Sequence, residues 1–242
     1  MRDYITAYNE VKQNGFTILT DFFKNSQEFK EVQYDAESLI YSLAKDLSIS
    51  FNKNISFSEL ATEVSKKEGL SAIIFDRLNA SPSLYKFLCS KGIEDLVKKL
   101  FNTKKSIFMN NFKLLVQNPG NEERTNFPWH QDSHYNTLGE SADKSIVIWV
   151  SLIDIDSETG PVVFKKGSNA LGIVDKISMK RPSGHNIFTV NEKHIDVAAF
   201  EDTAPKINAG DLLLIDMNVI HKSGTNLTNK TKFTMTSRCH IF

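Results

Sequence analysis

Cysteine is almost absent from this chain, with only Cys89 and Cys239 in 242 residues, and their separation fits no metal-ligand spacing. That excludes a disulfide framework and a thiolate metal site, and both thiols are expected to be reduced core residues. Net charge is absent too, because 29 basic residues balance 29 acidic ones. With no overall field to draw the protein to nucleic acid or to an anionic membrane, any charged ligand must be caught locally. Long apolar runs are missing: stretches such as Ile146 to Val150 are far too short to span a bilayer, and the opening Met1-Arg2-Asp3-Tyr4-Ile5 has no apolar leader. A soluble, cytoplasmic protein is expected. Repeats, low-complexity tracts and Pro/Gly/Ser linkers are missing as well, so 242 residues with 40% hydrophobic content are expected to form a single domain, residues 1–242.

What is present changes texture near residue 105. Before that point the chain reads as helical: Phe29, Val32, Ala36, Leu39, Ile40, Leu43 and Leu47 recur at steps of three and four, the stripe that an amphipathic helix buries. Ser56 with Glu59 forms a capping box, and Ser81-Pro82 reads as an N-cap followed by proline in the first turn. A short β-like run, Phe16 to Leu19, follows Asn14-Gly15. After residue 105, short apolar or alternating runs predict strands at Ile107–Gln117, Ser145–Ile155, Val162–Phe164, Ile195–Phe200, Leu212–Met217 and Lys232–Phe242, separated by glycine-containing turns. Strands without alternating helices predict an antiparallel sandwich or jelly roll over residues 106–242, with the helices of residues 1–105 packed outside it, an α+β arrangement.

The sharpest chemical signal is Pro128-Trp129-His130-Gln131-Asp132. In an extended strand His130 and Asp132, two positions apart, point the same way. His221 comes 89 positions after Asp132, at the end of the apolar run Leu212 to Ile220, where a returning strand could bring it back. Two imidazoles and one carboxylate would make a facial triad for iron(II), leaving cis positions for a chelating keto acid and for dioxygen, which a closed four-ligand structural site would not. Taken alone, a histidine in such a triplet is more often a surface or hydrogen-bonded residue than a ligand.

The context of that triplet resembles the phytanoyl-CoA dioxygenase family. Four blocks carry the resemblance in order and spacing: Trp129-His130-Gln131-Asp132, Ile148 to Leu152, Gly160 to Ser168, and Ala209 to Asp216 leading to His221-Lys222-Ser223-Gly224-Thr225-Asn226. Asn14 to Leu19 followed by Asp21-Phe22-Phe23 also resembles the family's opening, so the likeness spans nearly the whole chain and is weakest over residues 25–105. The resemblance implies a double-stranded β-helix of cupin-like jelly-roll type, iron(II), the co-substrate 2-oxoglutarate, dioxygen, and hydroxylation of a small-molecule substrate with release of succinate and carbon dioxide. It also implies that His130, Asp132 and His221 are the catalytic metal ligands and that Ser223 and Trp149 lie beside the co-substrate, although Trp149 fits simple core packing as well. The family's arginine, eleven positions after the second histidine, falls on Lys232. A lysine neutralises a carboxylate as a point charge, with fewer hydrogen bonds and less geometric control. Arg238 is the rival for the distal carboxylate. It lies six positions later on the same strand parity, ~20 Å further along, so the two cannot occupy one spot. Register favours Lys232 and leaves Arg238 for substrate or a structural ion pair.

Asp132 occupies the position that related halogenases leave open for chloride, which argues against halogenation. Two competing readings remain at this stage. One is a catalytically silent jelly-roll module that keeps its metal ligands for stability. The other is a cupin-type enzyme that uses no 2-oxoglutarate, which would want further histidines on the metal. His134 continues the alternation but reads as pocket wall or surface, and His185, His194 and His240 have no matching partners. The substrate pocket is expected between residues 124–136 and 167–190, both polar and loop-like, with Arg124, Arg181, His134 and His185 facing a small polar metabolite.

Overall fold

The computed structural model describes residues 4–120, 126–135, 142–181 and 186–242; Arg124, Asn136 and His185 lie outside them. Six helices fall within residues 4–100: α1 (Tyr4–Asn14), α2 (Gln27–Asp46), α3 (Phe57–Ser65), α4 (Leu70–Asn79), α5 (Pro82–Leu88) and α6 (Lys91–Leu100). Their ends follow the local chemistry of the chain. The Ser26 hydroxyl accepts from Phe29 N to start α2, Ser56 and Glu59 complete the capping box of α3, and Ser81 caps α5 with Pro82 in its first turn. The α2 stripe buries Phe29, Val32, Ala36, Ile40 and Leu43 as the 3.6-residue period requires, while Leu47 falls beyond the helix and is exposed. Among the described residues no helix is long and apolar enough to cross a membrane.

The strands are β1 (Phe16–Leu19), β2 (Ile107–Gln117), β3 (Ser145–Ser151), β4 (Val162–Lys165), β5 (Lys176–Lys180), β6 (Asn186–Val190), β7 (Asp202–Thr203), β8 (Leu212–Asp216), β9 (His221–Ser223) and β10 (Lys232–Ile241). An antiparallel five-stranded sheet runs β1-β8-β3-β10-β2, a three-stranded sheet runs β7-β4-β9, and β5 pairs with β6 as a hairpin. The two sheets are the layers of a double-stranded β-helix without closed-barrel continuity.

Alternation divides the large sheet into two faces. Ile146, Ile148 and Val150 of β3, Leu212 and Leu214 of β8, and Phe233, Met235 and Cys239 of β10 join the buried helix residues in one core. Val147 and Trp149 of β3 with Leu213 and Ile215 of β8 face the small sheet and pack with Phe164. The helices therefore seal one face and leave the other for a site.

Three expectations need correction. Ile195–Phe200 is not a strand: it holds a single 3₁₀ turn, Val197–Ala199, capped by Asp196, whose apolar residues pack on Val174, Val190 and Ile220. The strand predicted to reach Ile155 ends at Ser151. The stretch expected to be loop, residues 167–190, contains the β5–β6 hairpin; every residue of β5 is exposed, so no buried face betrays it as a strand. Both cysteines are free; Cys239 is in the core as expected, whereas Cys89 is exposed.

Candidate active site

His130 and Asp132 do not sit in a strand. His130 forms an isolated antiparallel bridge with His221, each backbone N–H donating to the other's carbonyl at 2.9 Å, and Asp132 opens a 3₁₀ turn, Asp132–Tyr135. Gln131 between them explains how the break is held. Fully buried, it donates to Gly172 O and Asn218 O while its Oε1 accepts from Val174 N at 2.9 Å. With the intervening side chain pinned on the far side, both neighbours turn into the same cavity despite the lost alternation.

The two imidazoles lie with ring centroids 4.2 Å apart and their planes tilted by 48°. Nδ1 of His130 donates to Pro128 O at 2.8 Å and Nδ1 of His221 donates to Val219 O at 3.0 Å, so in each ring Nε2 keeps its lone pair. Burial, reinforced by His221, lowers the His130 pKa to about 3, which leaves the ring neutral. Asp132 shows opposed effects: burial raises its pKa, but Arg238 and the two histidines outweigh that and bring it down to about 2. Arg238 donates from Nε at 3.0 Å and also from Nη2 to the same oxygen, Oδ1 of Asp132. The other oxygen, Oδ2, is thereby left 3.6 Å from His221 Nε2. Among the described residues no three His, Cys, Asp or Glu side chains already stand at the spacing of a finished metal cage. The donor set itself fits a divalent iron: two imidazoles whose Nδ1 atoms are held by backbone carbonyls, one ionised carboxylate oxygen, and space alongside.

That space is a cavity of about 210 Å³. Of the seven residues the sequence singled out, it brings six together: His130, Asp132, His221, Ser223, Trp149 and Arg238 all line it. Ser223 Oγ accepts from Phe127 N at 3.1 Å, and Trp149 projects from the cavity face of β3. Lys232 is not on the wall. It is buried on β10 opposite Gln117, its ammonium donates to Gly160 O, and burial lowers its pKa to about 7. No carboxylate stands within ion-pair distance of it among the described residues. Its acceptor is fixed by a tight crossing: Gly160 has φ 75°, and a Cβ there would lie 2.9 Å from Gly224 O, just after Ser223.

Sequence reasoning did not find Asn111, Lys113, Tyr135, Lys222 or Thr236, which also line the cavity. His134 is neither wall nor surface: it is buried, with Nε2 on Val174 O at 2.9 Å. His240 is a satisfied core histidine between Ser145 and Asn110, and His194 pairs with Asp175 on the surface. Arg181 donates to Asn126 O and lines a larger outer cavity of about 800 Å³ that meets the first at Phe127, Lys222 and Ser223.

A double-stranded β-helix with a His, Asp and His lining the space between its sheets defines the class of protein. Within that class, residues 11–234 match the phytanoyl-CoA dioxygenase (PhyH) family, and the chain belongs to it. A curated relative from Caenorhabditis elegans, described as a probable phytanoyl-CoA dioxygenase, is 25% identical over 165 residues, 66% of this chain; the chain spans about half the length of that relative, 50%. Among solved structures, the epimerase SnoN in complex with Fe3+, alpha ketoglutarate and nogalamycin RO superposes with a TM-score of 0.66 at 15% identity, covering 98% of this chain and 83% of its own. EctD from S. alaskensis with 2-oxoglutarate and 5-hydroxyectoine gives 0.62 at 17%, covering 97% and 74%, and AviO1 from Streptomyces viridochromogenes gives 0.62 at 14%, covering 99% and 96%. At these identities the likeness is one of fold.

Proposed function

We propose that the chain, acting as one domain, is an iron(II)- and 2-oxoglutarate-dependent dioxygenase that hydroxylates a small polar metabolite. The observation that carries this is a pair of imidazoles, each with Nδ1 engaged by a backbone carbonyl, lining one cavity with an ionised carboxylate and room beside them. His130, Asp132 and His221 hold the metal. Lys232 neutralises the distal carboxylate of 2-oxoglutarate with Ser223 beside it, and Trp149 forms the wall along the co-substrate. Support for Lys232 is electrostatic: a buried ammonium with a single carbonyl acceptor is poorly compensated, and a carboxylate would compensate it. Bound iron with 2-oxoglutarate supplies dioxygen activation, coupled to formation of succinate and carbon dioxide. The protein's part is to orient: Arg238 fixes Asp132 through Oδ1, the Nδ1 bonds fix both rings, and apolar walls exclude water.

The family relationship and the open side of the ligand set weigh against a silent metal module, since a structural site closes on a fourth protein ligand. Against a cupin enzyme with further histidine ligands, His134 is committed to Val174 O. Both alternatives are tested by anaerobic titration with iron(II) and then 2-oxoglutarate. The visible charge-transfer band of the chelate is expected in the unmutated protein and not in His221→Ala; iron binding without a band would leave only a metal-binding jelly roll. Succinate release across candidate substrates, with product analysis, separates hydroxylation from desaturation, epimerisation and ring closure, which use the same ligands.

A further inference from the structure

The cavity holds a group of polar side chains that neither the metal nor the co-substrate uses. Along β2 and β10 the register is regular as far as Lys113 opposite Thr236, then resumes with Asn110 opposite Arg238, so Ser237 faces two residues, Asn111 and Phe112. This is a β-bulge, and Asn111 takes φ 57° in it. The pairing of β10 with β3 runs without a shift through the same stretch, so the extra residue belongs to β2 alone. Asn111 and Lys113, two positions apart on β2, both line the cavity wall, beside Thr236.

Among the described residues none of these three side chains makes a hydrogen bond or an ion pair. The other charges on the wall are already engaged. Asp132, the one carboxylate lining the cavity among the described residues, is held by Arg238, and the Lys222 ammonium lies 4.4 Å from the centre of the Trp129 ring. Among the described residues Lys113, exposed at the cavity in the field of Arg238, has no carboxylate paired with it; burial first, then Arg238, lowers its pKa. Next to it the wall is hydrocarbon: Leu115, Val147, Ile215 and Val162.

We infer that this is the substrate-recognition site, and that the substrate is a small molecule bearing an oxyanion, a carboxylate or a phosphate, on an apolar frame. Lys113 takes the oxyanion, the Thr236 hydroxyl and Asn111 amide donate to it, and the frame lies against the aliphatic wall. The inference rests on the dioxygenase reading, in which 2-oxoglutarate spends its own carboxylates on the metal and on Lys232, leaving Lys113 for a second anion.

The test uses probes that differ in charge and little else: benzoate, phenyl phosphate and neutral benzamide. Each is titrated anaerobically into the protein loaded with iron(II) and 2-oxoglutarate, following perturbation of the charge-transfer band. At least one of the two anions is expected to bind at least tenfold more tightly than benzamide, and which of them does so identifies the oxyanion. Lys113→Gln is expected to erase that preference while 2-oxoglutarate affinity stays as it was, and Lys113→Arg to keep it. Equal binding of anions and benzamide, an undiminished preference in Lys113→Gln, or a loss of 2-oxoglutarate affinity in Lys113→Gln would each overturn the inference, the last by making Lys113 the co-substrate's clamp. If no band forms, the dioxygenase reading has failed separately. The same probes are then compared by calorimetry on chelator-treated protein, where the same two ratios decide the Lys113 site.

Discussion

Binding of 2-oxoglutarate should draw a proton from solution, and the amount follows from Lys232. With its pKa near 7, the buried ammonium is almost fully charged at pH 6 and about nine-tenths neutral at pH 8. A carboxylate arriving beside it restores the charged form, so binding should take up roughly one proton at pH 8 and almost none at pH 6. The affinity should correspondingly be about tenfold weaker at pH 8 than at pH 6. Calorimetric titration of the iron(II)-loaded protein in two buffers of different ionisation enthalpy measures the uptake directly. Lys232→Arg is the decisive comparison, because a guanidinium stays charged throughout: it should retain binding and lose the pH dependence. Lys232→Met should lose binding yet stabilise the protein. Burying the ammonium costs on the order of 4 kcal/mol at pH 7, the difference between a pKa of about 7 in the fold and 10.5 outside it. The unfolded chain binds more protons between those two values, so the stability of the unmutated protein should rise with pH across that window, and Lys232→Met should flatten the rise. Absence of proton uptake, together with unchanged 2-oxoglutarate affinity in Lys232→Met, would refute the role given to Lys232.

Arg238→Met should release Asp132 and weaken iron(II) binding by roughly 10- to 100-fold in competition with a chelator, since a partner that orients a ligand carboxylate is typically worth that much. Gly160→Ala should lower stability by about 1–3 kcal/mol in denaturant unfolding, because its φ is 75° and the new Cβ would meet Gly224 O. Asn111→Gly, which accepts φ 57° freely, should change stability by less than about 1 kcal/mol, whereas Asn111→Val should cost more than that in the same assay.

Much of this architecture was legible in residue order. The apolar-rich run Ile107–Gln117 marks β2 to the residue, and Lys232 marks the start of β10. Those strands are buried on one or both faces, so their patterns are forced. The β5–β6 hairpin was invisible because exposed Lys176–Lys180 has no buried face to impose a period, and Ile195–Phe200 misled because an apolar run packs as well in a 3₁₀ turn as in a strand. The meeting of His130, Asp132 and His221 in one cavity was legible from spacing and resemblance, but strand alternation is not its cause: the anchored Gln131 lies between His130 and Asp132 where the strand is broken. Arg238, expected at the distal carboxylate, at substrate or in a structural ion pair, is paired with Asp132. Lys113 could not be found, because a bulge leaves no mark in a strand whose asparagines and apolar residues alternate imperfectly anyway.

The bulge also separates the parts of this protein that can vary from those that cannot. The proposed metal ligands come from the segment around Gln131 and from β9, and the proposed co-substrate anchor from the start of β10, while Asn111 and Lys113 sit on β2, at the outer edge of the large sheet. Loss of the single codon for Asn111 would restore continuous pairing to β2 and remove one side chain from the cavity wall without touching any proposed iron ligand. A change of substrate is thus available to this lineage by a one-residue insertion or deletion in an edge strand, and a library confined to positions 110–113 is where a new specificity should be sought.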